Sequence, residues 1–108
     1  MTAAADVDRI FSALADPTRR HLLELLGSRN ASSATALAAE MPVSRQAVAK
    51  HLGILEESEL VYSHRSGREL LYTVRPERLV ETSSWMAALA ASWEVRLQML
   101  KRIAESTD

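Results

Sequence analysis

At 108 residues the chain suits one domain with a modest core, and 47% hydrophobic with 25% charged residues marks a folded protein rather than a disordered one. No apolar run approaches a membrane span, no signal-peptide pattern opens the chain, and the lack of cysteine excludes a disulfide framework, a thiolate metal site and a cysteine nucleophile; a cytoplasmic protein is expected. The formal net charge of -1 speaks mildly against nucleic acid, but what matters is where the cations cluster.

Residues 1–5 read as a flexible tail. A first helix is expected over about residues 6–15, where Val7, Ile10, Phe11 and Leu14 recur at helical spacing. It ends at Asp16-Pro17, because a residue before proline resists the helical region. The same pair opens a second helix, with Asp16 as N-cap and Pro17 at the first helical position. Leu22, Leu23, Leu25 and Leu26 give it a broad apolar face, and residues 27–33 read as a loop. A short third helix fits residues 34–41, with Leu37, Ala38 and Met41 inward and Pro42 as its stop.

Ser44 is the N-cap of a fourth helix, so that the unit spans residues 44–57. Val48, Leu52 and Leu55 fall at i, i+4 and i+7 and form one buried stripe. Arg45, Gln46, Ala49, Lys50 and Gly53 then share the opposite face, which contains no acid. Over residues 60–74, two β-rich runs flank Ser66-Gly67-Arg68 and read as a hairpin. Its turn carries Arg65 and Arg68, while the nearby acids Glu56, Glu57 and Glu59 lie between the two basic stretches.

Residues 76–105 read as one long helix. Leu79, Met86, Trp93 and Leu100 are seven apart, Ser83, Ala90, Leu97 and Ala104 follow each by four, and Leu89 and Ile103 widen the stripe. A heptad seam sustained for about four repeats needs a partner helix. The fold class is therefore mainly α with a small β-hairpin, in the order α-α-α-α-β-β-α over a single domain, residues 1–108. Two short helices joined by a tight turn suggest a helix-turn-helix, with 44–57 as recognition helix, 60–74 as wing and 76–105 as dimerisation helix.

The fourth helix carries the candidate chemistry. Arginine pairs with guanine and glutamine with adenine through two hydrogen bonds each at the major-groove edge, so Arg45 and Gln46 are the expected base contacts. Ser44, the helix N-terminus and Lys50 suit phosphates, and small Ala49 lets the backbone approach. Arg65 and Arg68 on the wing suit phosphates or the minor groove. Solvation of an exposed face explains isolated cations equally well; the turn before, the hairpin after and the missing acids favour DNA. Ile10, Phe11, Leu14, Met86, Leu89, Trp93, Leu97 and Leu100 are the expected dimer interface. Trp85 lies off the main seam, at its edge, and whether either tryptophan lines a ligand pocket is open.

The stretch SRQAVAKHLGILEESELV, residues 44–61, resembles the recognition helix and wing entry of the ArsR-type (arsenic-repressor) family of winged-helix regulators. FSALADPTRRHLLELL, residues 11–26, is similar to that family's opening, with its ALADPTR signature, and RSGRELLY, residues 65–72, to its wing. The resemblance implies a homodimeric repressor. Pro42 and Glu59 stand where the family commonly has glycine; Glu59 in a left-handed C-cap would cost on the order of 1 kcal/mol. The family's metal sensors use a cysteine pair before the recognition helix, or Asp and His on the C-terminal helix. Here residues 34–41 hold neither Cys nor His, and the C-terminal helix has no His and only the terminal Asp108. No metal or cofactor is expected.

An enzyme is disfavoured: no nucleophile–base pair, glycine-rich phosphate loop or carboxylate–histidine cluster is visible. The expected partners are double-stranded DNA and a second copy of the chain, with an unidentified small-molecule effector left open and no membrane. The alternative is a winged helix used for protein–protein contact without DNA binding.

Overall fold

The structure is a computed structural model that describes residues 3–106. Its elements are α1 (Ala3–Leu14), α2 (Pro17–Gly27), β1 (Ser32–Ser33), α3 (Ala34–Ala38), α4 (Arg45–Glu57), β2 (Val61–Ser66), β3 (Glu69–Val74) and α5 (Glu77–Ser106). This is a mainly helical winged helix-turn-helix with one small sheet. Helix α1 begins inside the expected tail, because three alanines, the strongest helix formers, precede Asp6. Met1 and Thr2 lie outside the described residues.

The ADPTR segment is a structural joint. Asp16 caps α2 by accepting the N–H groups of Thr18 at 2.7 Å and Arg19 at 3.3 Å. Arg19 turns back to donate to the Ala13 carbonyl at 2.7 Å and the Ser12 carbonyl at 3.2 Å, satisfying the end of α1. Its other terminal nitrogen lies 3.3 Å from His51 Nδ1 on α4. One side chain thus ties three helices together.

Helix α3 stops at Ala38, short of the expected 41. The chain tightens there into i→i−3 bonds, Glu40 N–H to the Leu37 carbonyl and Met41 N–H to the Ala38 carbonyl, and Pro42 bars any continuation. The segment expected as a plain loop contains β1, which pairs antiparallel with β3, Ser32 opposite Tyr72 and Ser33 opposite Leu71. The sheet order is β1-β3-β2, so the wing is anchored on both sides of its second strand. Gly67, at φ +64°, supplies the left-handed residue that turns β2 into β3.

Leu22, Leu26, Leu37, Val48, Leu52, Leu55, Leu60 and Val61 close the core, each at most 1% exposed. Helix α4 ends in a Schellman motif: Leu60 N–H bonds the Leu55 carbonyl at 2.9 Å and Glu59 N–H the Glu56 carbonyl at 3.0 Å. Glu59 holds the left-handed position, φ +61°, with a backbone cost of roughly 1–2 kcal/mol for a residue with a Cβ.

Helix α5 leaves the core. Thr82 is buried, but every residue from Ser83 to Ser106 is exposed. The radius of gyration is 19.3 Å, against about 13 Å for a compact chain of this length. Ile10, expected at the dimer interface, is only 1% exposed and belongs to the protomer's own core. Leu14 is half-buried against that core, which leaves Phe11 as the exposed member of the three α1 residues. Phe11 meets Trp85 of α5 edge-to-face, with ring centroids 5.8 Å apart.

Candidate nucleic-acid interface

Helix α4 buries Val48, Leu52 and Leu55 and turns Arg45, Gln46 and Lys50 to solvent, with Ala49 and Gly53 half-buried between them. Ser44 Oγ accepts the Ala47 N–H at 3.1 Å and caps the helix, leaving its O–H as a donor for a phosphate. The N-terminal N–H groups and the helix dipole beside it favour an anion.

A cleft of about 350 Å³ runs between α3, α4 and the wing. Arg45 and Ala49 line it from α4, and Arg68 from the β2–β3 turn. The structure thus brings together cations from two separate stretches. Ser44, Gln46 and Lys50 lie outside the cleft on the same exposed side of α4, and Arg65 is exposed on β2. The wing's approach is held by Glu56 on α4, whose Oε2 accepts both the N–H and the hydroxyl of Ser63 at 3.2 and 2.6 Å. An acid that the sequence places only between two basic stretches is a strut between recognition helix and wing.

Of the lining residues that escaped the sequence reading, Thr35, Tyr72 and Glu69 bear on the chemistry of the cleft. Thr35 on α3 accepts a hydrogen bond from Arg45 Nε at 2.9 Å; its signal was an exposed hydroxyl two residues after the Ser33 N-cap. Tyr72 lies on the cleft floor, where burial, and then the charge of Glu56, push its phenol up and keep it neutral. Glu69 is the acid in the lining, beside Arg68.

A helix-turn-helix backed by a wing, with basic and amide groups on the exposed face of its second helix, defines the winged helix-turn-helix class. The helix-turn-helix domain family matches residues 14–63, which cover α2 through the start of β2. The transcriptional repressor SdpR of Bacillus subtilis is 30% identical over 80 residues, 74% of this chain and 88% of its own. The solved ArsR-like transcriptional regulator from Rhodococcus sp. RHA1 is 40% identical, with a TM-score of 0.84 and 94% of both chains covered. The homodimeric winged helix-turn-helix DNA-binding domain Mb0332 from Mycobacterium bovis shares the fold at 23% identity, TM-score 0.66, covering 82% of this chain and 81% of its own. The chain belongs to the ArsR-like family of winged helix-turn-helix transcriptional regulators. Among the described residues, no helix is long and apolar enough to cross a membrane.

Proposed function

We propose that the protein is a repressor that binds an inverted-repeat operator as a homodimer, in the cytoplasm and without catalytic activity. One observation carries the DNA reading: Arg45, Gln46 and Lys50 are exposed on the first two turns of α4, with the acids Glu56 and Glu57 confined to its last turn, and Arg45 shares a cleft with Arg68 of the wing. Arg45 and Gln46 read base edges in the major groove. Ser44 and Lys50 hold phosphates, Ala49 permits close approach, and Arg65 and Arg68 reach the flanking backbone or minor groove.

The dimer reading rests on α5 and α1. Phe11, Trp85, Met86, Leu89, Trp93, Leu97 and Leu100 are all at least 40% exposed in the protomer. A contiguous apolar face of this kind calls for a partner surface, and a second copy supplies a self-complementary one. Two-fold symmetry then sets the two copies of α4 about 34 Å apart, one turn of DNA. The Mycobacterium bovis domain is described as homodimeric, which supports the dimer reading, and the name of SdpR supports the repressor reading.

The test is selection of duplex DNA from a randomised pool by the purified protein. An enriched inverted repeat, bound with one dimer per duplex, supports the proposal. Failure to enrich any motif at low salt sinks it and favours the protein–protein alternative.

A further inference from the structure

Resting on the DNA-binding reading above, we propose that the Glu59–Arg78 ion pair is a positioning contact for operator binding. It holds the end of the recognition helix to the first turn of α5 and thereby fixes the separation of the two copies of α4 across the dimer.

The fold does not need a glutamate at position 59. Backbone N–H groups close the Schellman turn, and a glycine adopts φ +61° without strain. What glutamate adds is a side chain that accepts from Arg78 Nε at 2.9 Å and lies 2.8 Å from Nη2. Arg78 Nη1 donates to Glu81 at 2.8 Å, one turn further along α5, and lies 3.6 Å from Asp6 on α1. A single guanidinium therefore gathers the end of α4, the start of α5 and the side of α1.

The pair is partly exposed, with side chains 40% and 28% accessible, and exposed ion pairs add little to stability. A strained backbone that is not offset by stability is better explained by geometry that matters for function.

The place of the contact gives it leverage. Helix α5 packs chiefly on α1, while α4 packs on α2, α3 and β2. Besides Arg78, the joint between the reading unit and α5 consists of the short Arg75-Pro76 segment, where Arg75 N–H bonds the Leu60 carbonyl at 2.8 Å, and of Leu79, which packs against the core. A small tilt at this joint is doubled by the two-fold axis, and DNA accepts the two helices only at its own groove spacing.

The experiment compares wild type, Glu59→Gly and Glu59→Gln on the duplex that wild type selects from a randomised pool, and on versions with the centre lengthened or shortened by one base pair. Anisotropy gives affinity, light scattering the dimer and thermal melting the stability. Glu59→Gly is expected to stay dimeric with an undiminished Tm, yet to bind the selected duplex about tenfold more weakly and to discriminate less between spacings. Glu59→Gln keeps an acceptor for Arg78 and recovers most of the loss. Equal binding by Glu59→Gly and wild type at every spacing overturns the inference alone. So does a loss of binding that merely follows a lower Tm or a dissociated dimer, and so does a Glu59→Gln variant as weak as Glu59→Gly. If wild type selects no DNA, the DNA-binding reading falls and this inference with it.

Discussion

Arg45 on the recognition helix donates through Nε to Thr35 Oγ1 on the helix before it, at 2.9 Å. The contact fixes the guanidinium plane and leaves the two terminal nitrogens as the pair that suits guanine O6 and N7. Holding a long side chain in place before binding reduces the rotamer entropy lost at the interface.

Replacing a base-reading side chain should therefore act on sequence preference as well as affinity. Arg45→Ala or Gln46→Ala is expected to cost about 1–3 kcal/mol on the selected duplex and to relax preference at one base pair in each half-site. Repeating the selection with each variant measures this. If Arg45, Gln46 and Lys50 can all become alanine in a folded dimer without loss of binding, α4 is not the reading element.

The apolar face of α5 gives a prediction about assembly. Trp93 is 54% and Leu97 59% exposed in the protomer, and Arg96 covers one face of the Trp93 ring at 5.2 Å. Leu97→Glu places a charge on the seam while leaving the protomer core untouched. It should shift the dimer toward monomer in light scattering and abolish tight operator binding. A wild-type protein that is monomeric at micromolar concentration would remove the basis of this prediction.

The sequence made the helices and the wing legible because their periods are long and their punctuation strong. Asp16-Pro17, Pro42-Val43-Ser44 and Gly67 mark boundaries by backbone chemistry that holds in any context. Strand β1 was not legible, since two serines carry no period and are recruited only by β3. Ile10 and Phe11 are neighbours on one helix, about 100° apart around its axis. The sequence reading put both at the dimer interface, and only packing separates the core residue from the exposed one. Arg78 and Thr35 carried no motif at all; their roles come from partners 19 and 10 residues away in sequence.

Gly53 lies inside α4, and a Cβ built there meets nothing within 4 Å. Its cost is therefore the conformational one alone. Gly53→Ala should stabilise the protein by about 0.5–1 kcal/mol in denaturant unfolding. A destabilised variant would mean that this stretch of α4 packs against something in the dimer.

Acid should weaken the fold chiefly through Asp16, and only slightly through Glu59, whose pair with Arg78 is partly exposed. Partial burial raises Asp16, but hydrogen bonds from the Thr18 and Arg19 N–H groups, with His51 and Arg19 nearby, outweigh it and hold the carboxyl below its ordinary 3.8. Arg78 holds Glu59 below its ordinary 4.5, first by hydrogen bonding and then by charge. A folded-state value below the unfolded one gives stability that is present above the unfolded pKa and lost as pH falls through the folded one. Wild-type Tm should thus drop between about pH 5 and about pH 3. Asp16→Asn keeps a good N-cap and should flatten part of that drop while changing little at neutral pH. An identical acid limb in the variant would show that Asp16 has no part in it.

The net charge of -1 makes salt dependence the sharpest check on where the cations act. A protein that neutralises phosphates releases counterions, so affinity falls with salt in proportion to the phosphates contacted, whatever the total charge. Lys50 is exposed on α4 and Arg68 lines the cleft from the wing, and neither has a resolved carboxylate partner among the described ion pairs. Lys50→Ala and Arg68→Ala should each weaken selected and unrelated duplexes alike and lower the slope of log affinity against log salt by about 1 per half-site contact. Gln46→Ala should leave that slope unchanged, because it removes a neutral base contact. The contrast separates the two roles within one titration series. A slope that does not move for either cation would place the phosphate contacts elsewhere on the protein, even with the fold and the reading helix correct.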